Sequence, residues 1–127
     1  MDKKETNLII VIINSGFVDL VMDAAKAAGA GGGTVLHGRG TGNKEIEKLF
    51  GITISPNKEI VLIVVPNKIK DKVMKAIYNN AGLDTEGQGI IFSLPLDRVV
   101  GVNFNHFNKD DEEETHTTDD IKNGNQE

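Results

Sequence analysis

Two unbroken aliphatic runs, residues 8–13 (LIIVII) and 60–65 (IVLIVV), constrain this chain more than any other feature. Both are rich in β-branched side chains and show no polar alternation, which is the pattern of strands buried on both faces. At six residues each they fall far short of the about 20 that a membrane-spanning helix requires, so no insertion into a bilayer is expected. A shift of 52 positions lays residues 9–13 on 61–65 and residues 21–24 (VMDA) on 73–76 (VMKA). The chain therefore carries two copies of one strand–helix–strand unit.

The first unit continues with Phe17, Leu20, Val21, Ala24, Ala25 and Ala28 at helical spacing, a stop at Gly29, and a second strand at residues 33–37 (GTVLH). The second unit has its strand at residues 59–65, ending at Pro66. Ile69, Val73, Met74, Ile77 and Tyr78 then form the stripe of a helix that closes near Gly82. Residues 89–94 and 98–102 predict a last strand interrupted at Pro95. Two such units predict an α+β fold, the ferredoxin-like βαββαβ sandwich, with an antiparallel sheet and both helices on one face. Helices on one side leave the other sheet face without a cover. Another copy of the chain would bury it, or the N-terminal segment or residues 43–57 would fold across it.

Charge divides the chain in two. Residues 105–127 hold eight acids and two bases, a net charge of −6, whereas residues 1–104 hold 12 bases and 11 acids. The near-neutral body lacks the clustered basic face that nucleic acid requires. The acidic tail is expected to be disordered, because after Phe107 its one large apolar residue is Ile121. It reads as a solvating appendage, with an interaction tail as the alternative. The chain contains no Cys, and the charged start at residues 1–7 shows no cleavage pattern, so a disulfide scaffold and a signal peptide are both unexpected and a cytoplasmic protein is expected.

The candidate ligand chemistry lies in glycine. Seven of the 14 glycines fall within residues 29–42 (GAGGGTVLHGRGTG), which calls for positive φ or close main-chain approach at several positions. No P-loop or Rossmann fingerprint is present. Residues 38–44 (GRGTGNK) form a strand exit whose amides would make either an anion nest beside Arg39 and Lys44 or a plain turn. A second glycine loop, residues 82–89 (GLDTEGQG), leads into the last strand, with the same two readings. His37, His106 and His116 have no metal-ligand spacing, and Ser15, Ser55 and Ser93 have no nucleophile context, so neither a metal site nor an enzyme is expected.

Taken in order, Val21, Ala24, Gly29, residues 33–35 (GTV), residues 40–42 (GTG), residues 60–66 ending in IVVP, residues 87–92 (GQGIIF) and residues 98–100 (RVV) resemble the PII nitrogen-regulatory signalling proteins. The resemblance spans about residues 7–103 and is closest to the short-loop, PII-like branch. It implies a non-enzymatic homotrimer that binds a small metabolite or adenine nucleotide between subunits and regulates a partner protein, such as a membrane transporter. By position, the ligand site would comprise Thr34, Arg39, Gly40, Thr41, Gly42, Val64, Gly87, Gln88 and Gly89.

The departures from the family pattern are informative. Ile90 replaces a phosphate-binding lysine, and Gly101 and Asn103 replace two arginines, so the site should suit ADP, AMP or another small anion and show no preference for ATP. No cofactor is required. Residues 43–57 form a shortened loop without the family's modifiable tyrosine, since the one Tyr is Tyr78. Ile46, Leu49 and Phe50 at i, i+3 and i+4 predict a short amphipathic helix there, followed by an extended 52–54. An alternative of another class is a structural or metal-handling trimer resembling the divalent-cation-tolerance proteins, whose signature would be a His or carboxylate cluster in the body.

Overall fold

The two aliphatic runs pair with each other. In the computed structural model, which describes residues 5–41, 44–51, 56–85 and 88–101, β1 (Thr6–Asn14) lies antiparallel to β3 (Asn57–Pro66), with Ile9 opposite Ile63 and Val11 opposite Val61. On the far side of β1 is β4 (Gly89–Pro95), and on the far side of β3 is β2 (Thr34–Arg39), giving the antiparallel order β2-β3-β1-β4. The described residues also form three helices: α1 (Val18–Ala27), α2 (Lys44–Phe50) and α3 (Asn67–Asn80). This is the βαββαβ sandwich expected from the duplicated unit, with α2 inserted between β2 and β3.

Strand alternation decides what is buried. Ile9, Val11, Ile13, Val61, Ile63 and Val65 are fully buried together with Val21 and Ala25 of α1 and Val73 and Ile77 of α3. The intervening Leu8, Ile10, Ile12, Leu62 and Val64 point to the other face and are only half-buried. At about 1.5–3 kcal/mol for each fully buried Val or Ile, the helix side dominates the stability of the subunit.

Local chemistry sets the turns. Helix α1 has Asp19 in its first turn and Lys26 in its last, both matched to the helix dipole. It ends in a Schellman motif: Gly29, at φ 114°, donates its amide to Lys26 O (3.0 Å) and Ala30 donates to Ala25 O (2.9 Å). Gly33 meets the second demand of the glycine-rich segment, close approach, since a Cβ there would lie 3.1 Å from Met22 Sδ and 3.2 Å from Leu62 O.

Two expectations change in detail. Residues 98–100 are not a strand: β4 stops at Pro95 because β1 begins at Thr6, whose carbonyl takes the Leu96 amide (3.0 Å) as the last bond along that edge. The predicted helix at 46–50 is present as α2, but Leu49 is 78% and Phe50 54% exposed, so its apolar pair is not packed within the subunit. The extended 52–54, Gly42, Gly87, Asn103 and the acidic tail lie outside the described residues. Among the described residues no helix is long and apolar enough to cross a membrane.

Candidate functional site

Antiparallel order brings four chain ends to one end of the sheet. There β2 leaves at Arg39, β3 enters at Asn57, β1 leaves at Asn14 and β4 enters at Gly89. A polar strip crosses three of these strands. Lys58 Nζ donates to Asn14 Oδ1 (2.6 Å), Asn14 Nδ2 donates to Gln88 Oε1 (3.1 Å), and Gln88 Nε2 donates to Ala81 O at the end of α3 (3.1 Å). Main-chain bonds tie the same end, with Asn14 N donating to Gln88 O (3.2 Å) and Ser15 N to Asn57 O (3.2 Å).

The ammonium of Lys58 thus rests on a neutral amide oxygen. A cation paired with an amide keeps its net charge and remains attractive to an anion that offers a charge-assisted bond. Glu59, the next residue, points to the helix side, where its Oε1 accepts the Gly16 amide (3.1 Å) and its Oε2 lies 3.5 Å from His37 Nδ1. It secures the turn into α1 and leaves Lys58 unneutralised.

Behind the strip the open face is aliphatic. Cross-strand register aligns Leu36, Ile60, Ile12 and Ile90 in one row and Thr34, Leu62, Ile10 and Phe92 in the next, followed by Val64, Leu8 and Leu94. Of the residues expected to bind ligand, Arg39, Gly40, Thr41, Gln88 and Gly89 gather at the polar end. Thr34 and Val64 lie farther along the face, with Val64 six residues along β3 from Lys58. Arg39 and Gln88 occupy opposite margins of the end, since β3 and β1 intervene. Arg39, opposite Asn57 and one step past the Gly38–Lys58 pair, alternates away from the face that carries Thr34, Val64 and Lys58, so one subunit brings these residues to one end of the sheet or along its open face, but not to one pocket.

The glycines have structural duties here. The Gly40 amide donates to Pro56 O (2.7 Å) and closes the base of the loop that carries α2. A Cβ on Gly89 would stand 2.4 Å from Ile12 O and 3.1 Å from Leu83 Cδ2, so the entry of β4 admits no larger residue without displacement. Ile90 is 58% exposed, and Gly101 is exposed at φ 99°. The groove between α1 and α3, lined by Leu20, Asp23, Ala24, Lys72, Ala76 and Asn80 among others, lies on the opposite layer and contains none of the expected residues. No group of three or more His, Cys, Asp or Glu that could hold a metal ion occurs among the described residues.

Sequence reading missed Lys58 and Asn14. Each lies just beyond an aliphatic run and reads as a solvated strand end. Only the register, which sets Asn14 directly opposite Lys58, makes them a pair.

Comparison with known proteins agrees with this geometry. The family model described as Nitrogen regulatory protein P-II matches residues 6–106. Among solved structures, the crystal structure of Arabidopsis thaliana PII bound to citrate superposes with a TM-score of 0.62 at 24% identity, covering 78% of this chain and 82% of that one. No curated protein matches the chain. The family match covers both glycine loops, both aliphatic runs and the polar end of the sheet, and the chain belongs to the P-II nitrogen regulatory protein family.

Proposed function

We propose that this protein is a cytoplasmic, non-catalytic signalling trimer that binds a small anionic metabolite or an adenine nucleotide between subunits and regulates a partner protein, such as a membrane transporter. Membership of the P-II family supports a signalling role. The observation that carries the assembly is the open sheet face. Leu36, Ile90, Phe92 and Leu94 are 47%, 58%, 38% and 48% exposed on one continuous aliphatic surface, and contiguous apolar area of this kind marks an interface. No segment among the described residues covers it.

A trimer also answers how the candidate residues meet. Arg39, Gly40 and Thr41 at one margin of the sheet end, and Gln88 and Gly89 at the other, line one cleft when neighbouring subunits pack edge to edge. Lys58 supplies positive charge to that cleft, and Thr34 and Val64 form its apolar floor. With Ile90 at the lysine position and Gly101 at an arginine position, the cleft lacks the means to reward a third phosphate. ADP, AMP or a small carboxylate is the fitting ligand class. The citrate held by the Arabidopsis relative supports the carboxylate alternative.

Sedimentation equilibrium at micromolar concentration, followed by calorimetric titration with ATP, ADP, AMP and citrate at equal magnesium, tests both halves. The expected result is a species of three times 13.7 kDa that binds at least one of these anions and does not favour ATP over ADP. A stable monomer would remove the assembly and the intersubunit cleft with it.

A further inference from the structure

Helix α3 carries its charge against its own dipole. Lys68, Lys70, Lys72 and Lys75 occupy its first nine residues, its first turn holds no acid, and its N-cap, Pro66, makes no side-chain cap bond. Positive charge near a helix N-terminus is unfavourable, and α1 in the same molecule shows the opposite, matched arrangement. The side chain of Asn67, the first residue of the helix, accepts from Asn7 Nδ2 (2.9 Å). Lys68, Lys72 and Lys75 are exposed and follow one another at i, i+4 and i+7, so they form a basic stripe along one face of the helix. Asp71, 95% exposed and 3.9 Å from Lys70, offsets little of it.

We infer that this basic face of α3 is the docking site of the chain's own acidic segment, residues 110–114 (DDEEE). Three observations choose that occupant. The first is charge: residues 105–127 carry −6, concentrated in five consecutive acids. The second is where the chain leaves the sheet. Leu96 donates to Thr6 O, Thr6 lies opposite Pro66, and Pro66 leads into α3, so the C-terminal segment departs from the end of the sheet at which the basic helix begins. The third is reach. Thirteen residues lie between Leu96 and Asp110, and the fourteen steps extend to about 46 Å, against a helix length of about 21 Å.

Composition alone reads this tail as a solvating appendage, and the helix face gives it a place to act. Exposed ion pairs are individually weak, but a tethered segment meets its site at millimolar effective concentration, so five acids engage the stripe without a fixed partner for each. Docking there also covers the rim of the groove between α1 and α3, where Lys72 lies. Any anionic partner that used the same face would have to displace the tail first.

The absence of native Cys permits a direct test on the full chain. A nitroxide attached through Thr115→Cys should broaden the amide resonances of residues 68–75 at 20 mM salt. The broadening should disappear at 500 mM salt, where the screening length shrinks to about 4 Å, and also in the variant K68E/K72E/K75E. Broadening that persists in high salt or in the variant, or that falls on another surface, overturns the inference. In assemblies mixed from isotope-labelled subunits without the nitroxide and nitroxide-bearing subunits without isotope, broadening would show a neighbour's tail on the helix and overturn the own-chain assignment. An anionic lipid surface is the competing occupant: equal binding of full-length and tail-deleted protein to phosphatidylglycerol vesicles, with no broadening of α3, would assign the stripe to it.

Discussion

Ile10 faces Leu62 directly across the β1–β3 ladder, and Leu62 is also its counterpart 52 positions along the duplicated sequence. A residue can pair with its own equivalent only on the two-fold axis that relates the repeats. The axis therefore passes between these two side chains, through the middle of the open aliphatic face. Their neighbours Ile9 and Ile63, one step along each strand, point the other way into the helix-covered core.

This alternation predicts opposite consequences for adjacent substitutions. Ile63→Ala removes fully buried atoms and should cost about 2–5 kcal/mol of stability, read from denaturant unfolding. Leu62→Asp leaves the core intact but places a charge on the face assigned to assembly. It should yield a folded monomer whose unfolding midpoint no longer depends on protein concentration. An assembled Leu62→Asp protein would show that the face is not the interface.

The duplication explains why the fold is legible from sequence and the site is not. Two runs such as LIIVII and IVLIVV predict paired strands on their own, and the stripes ending at Gly29 and Gly82 predict the helices between them. Binding residues lack such a pattern. Lys58 and Asn14 are ordinary polar strand ends until the antiparallel register sets them opposite one another, and Gln88 joins them only because β4 lies next to β1. The glycines carry structural duties that their spacing does not reveal: the Gly40 amide closes a loop, and Gly89 makes room for a neighbouring strand.

Replacing Gly89 is accordingly a test of the fold. Gly89→Val would drive a Cβ into Ile12 O and Leu83, contacts with little room to yield, and should lower stability by roughly 1–3 kcal/mol, as overpacking does. Gly32→Ala, at a position with nothing within 4 Å and no positive φ, should change it by no more than about 0.5 kcal/mol. Thermal unfolding of the two variants side by side gives the comparison.

The polar strip separates stability from binding. Lys58→Met removes one charged donor from a partly exposed bond and should alter stability by about 1 kcal/mol or less. If Lys58 supplies the charge of the cleft, citrate and ADP should each bind at least about tenfold more weakly, the equivalent of about 1.4 kcal/mol. Asn14→Asp is the complementary variant. It keeps Lys58 but sets a carboxylate where Asn14 Oδ1 now lies, 2.6 Å from the ammonium, so anion affinity should fall, and the loss of the Asn14 Nδ2 donor to Gln88 Oε1 should lower stability by about 1 kcal/mol. Unchanged affinity in both variants would place the anion elsewhere.

Ile90 provides the last prediction, a gain of function. Its side chain is 58% exposed at the margin of the aliphatic row, opposite Ile12, where β4 leaves the second glycine loop. Within one subunit Ile90→Lys creates no cavity and buries no charge, so the stability of the fold should move by no more than about 0.5 kcal/mol; because Ile90 also stands on the face assigned to assembly, sedimentation equilibrium first checks that the variant is still a trimer. A lysine here would supply one cation to the proposed cleft. One charge-assisted bond to phosphate contributes about 1.5–3 kcal/mol, which corresponds to a rise in ATP affinity of roughly 10- to 150-fold. If the added ammonium meets the terminal phosphate of ATP, ADP should gain less and a preference for ATP should appear. Ile90→Met, of similar volume and no charge, should leave both affinities unchanged. Titration of the three proteins with ATP and ADP at equal magnesium reads the result, and an equal response to ATP in the lysine and methionine variants would show that the phosphates do not lie at this end of the sheet.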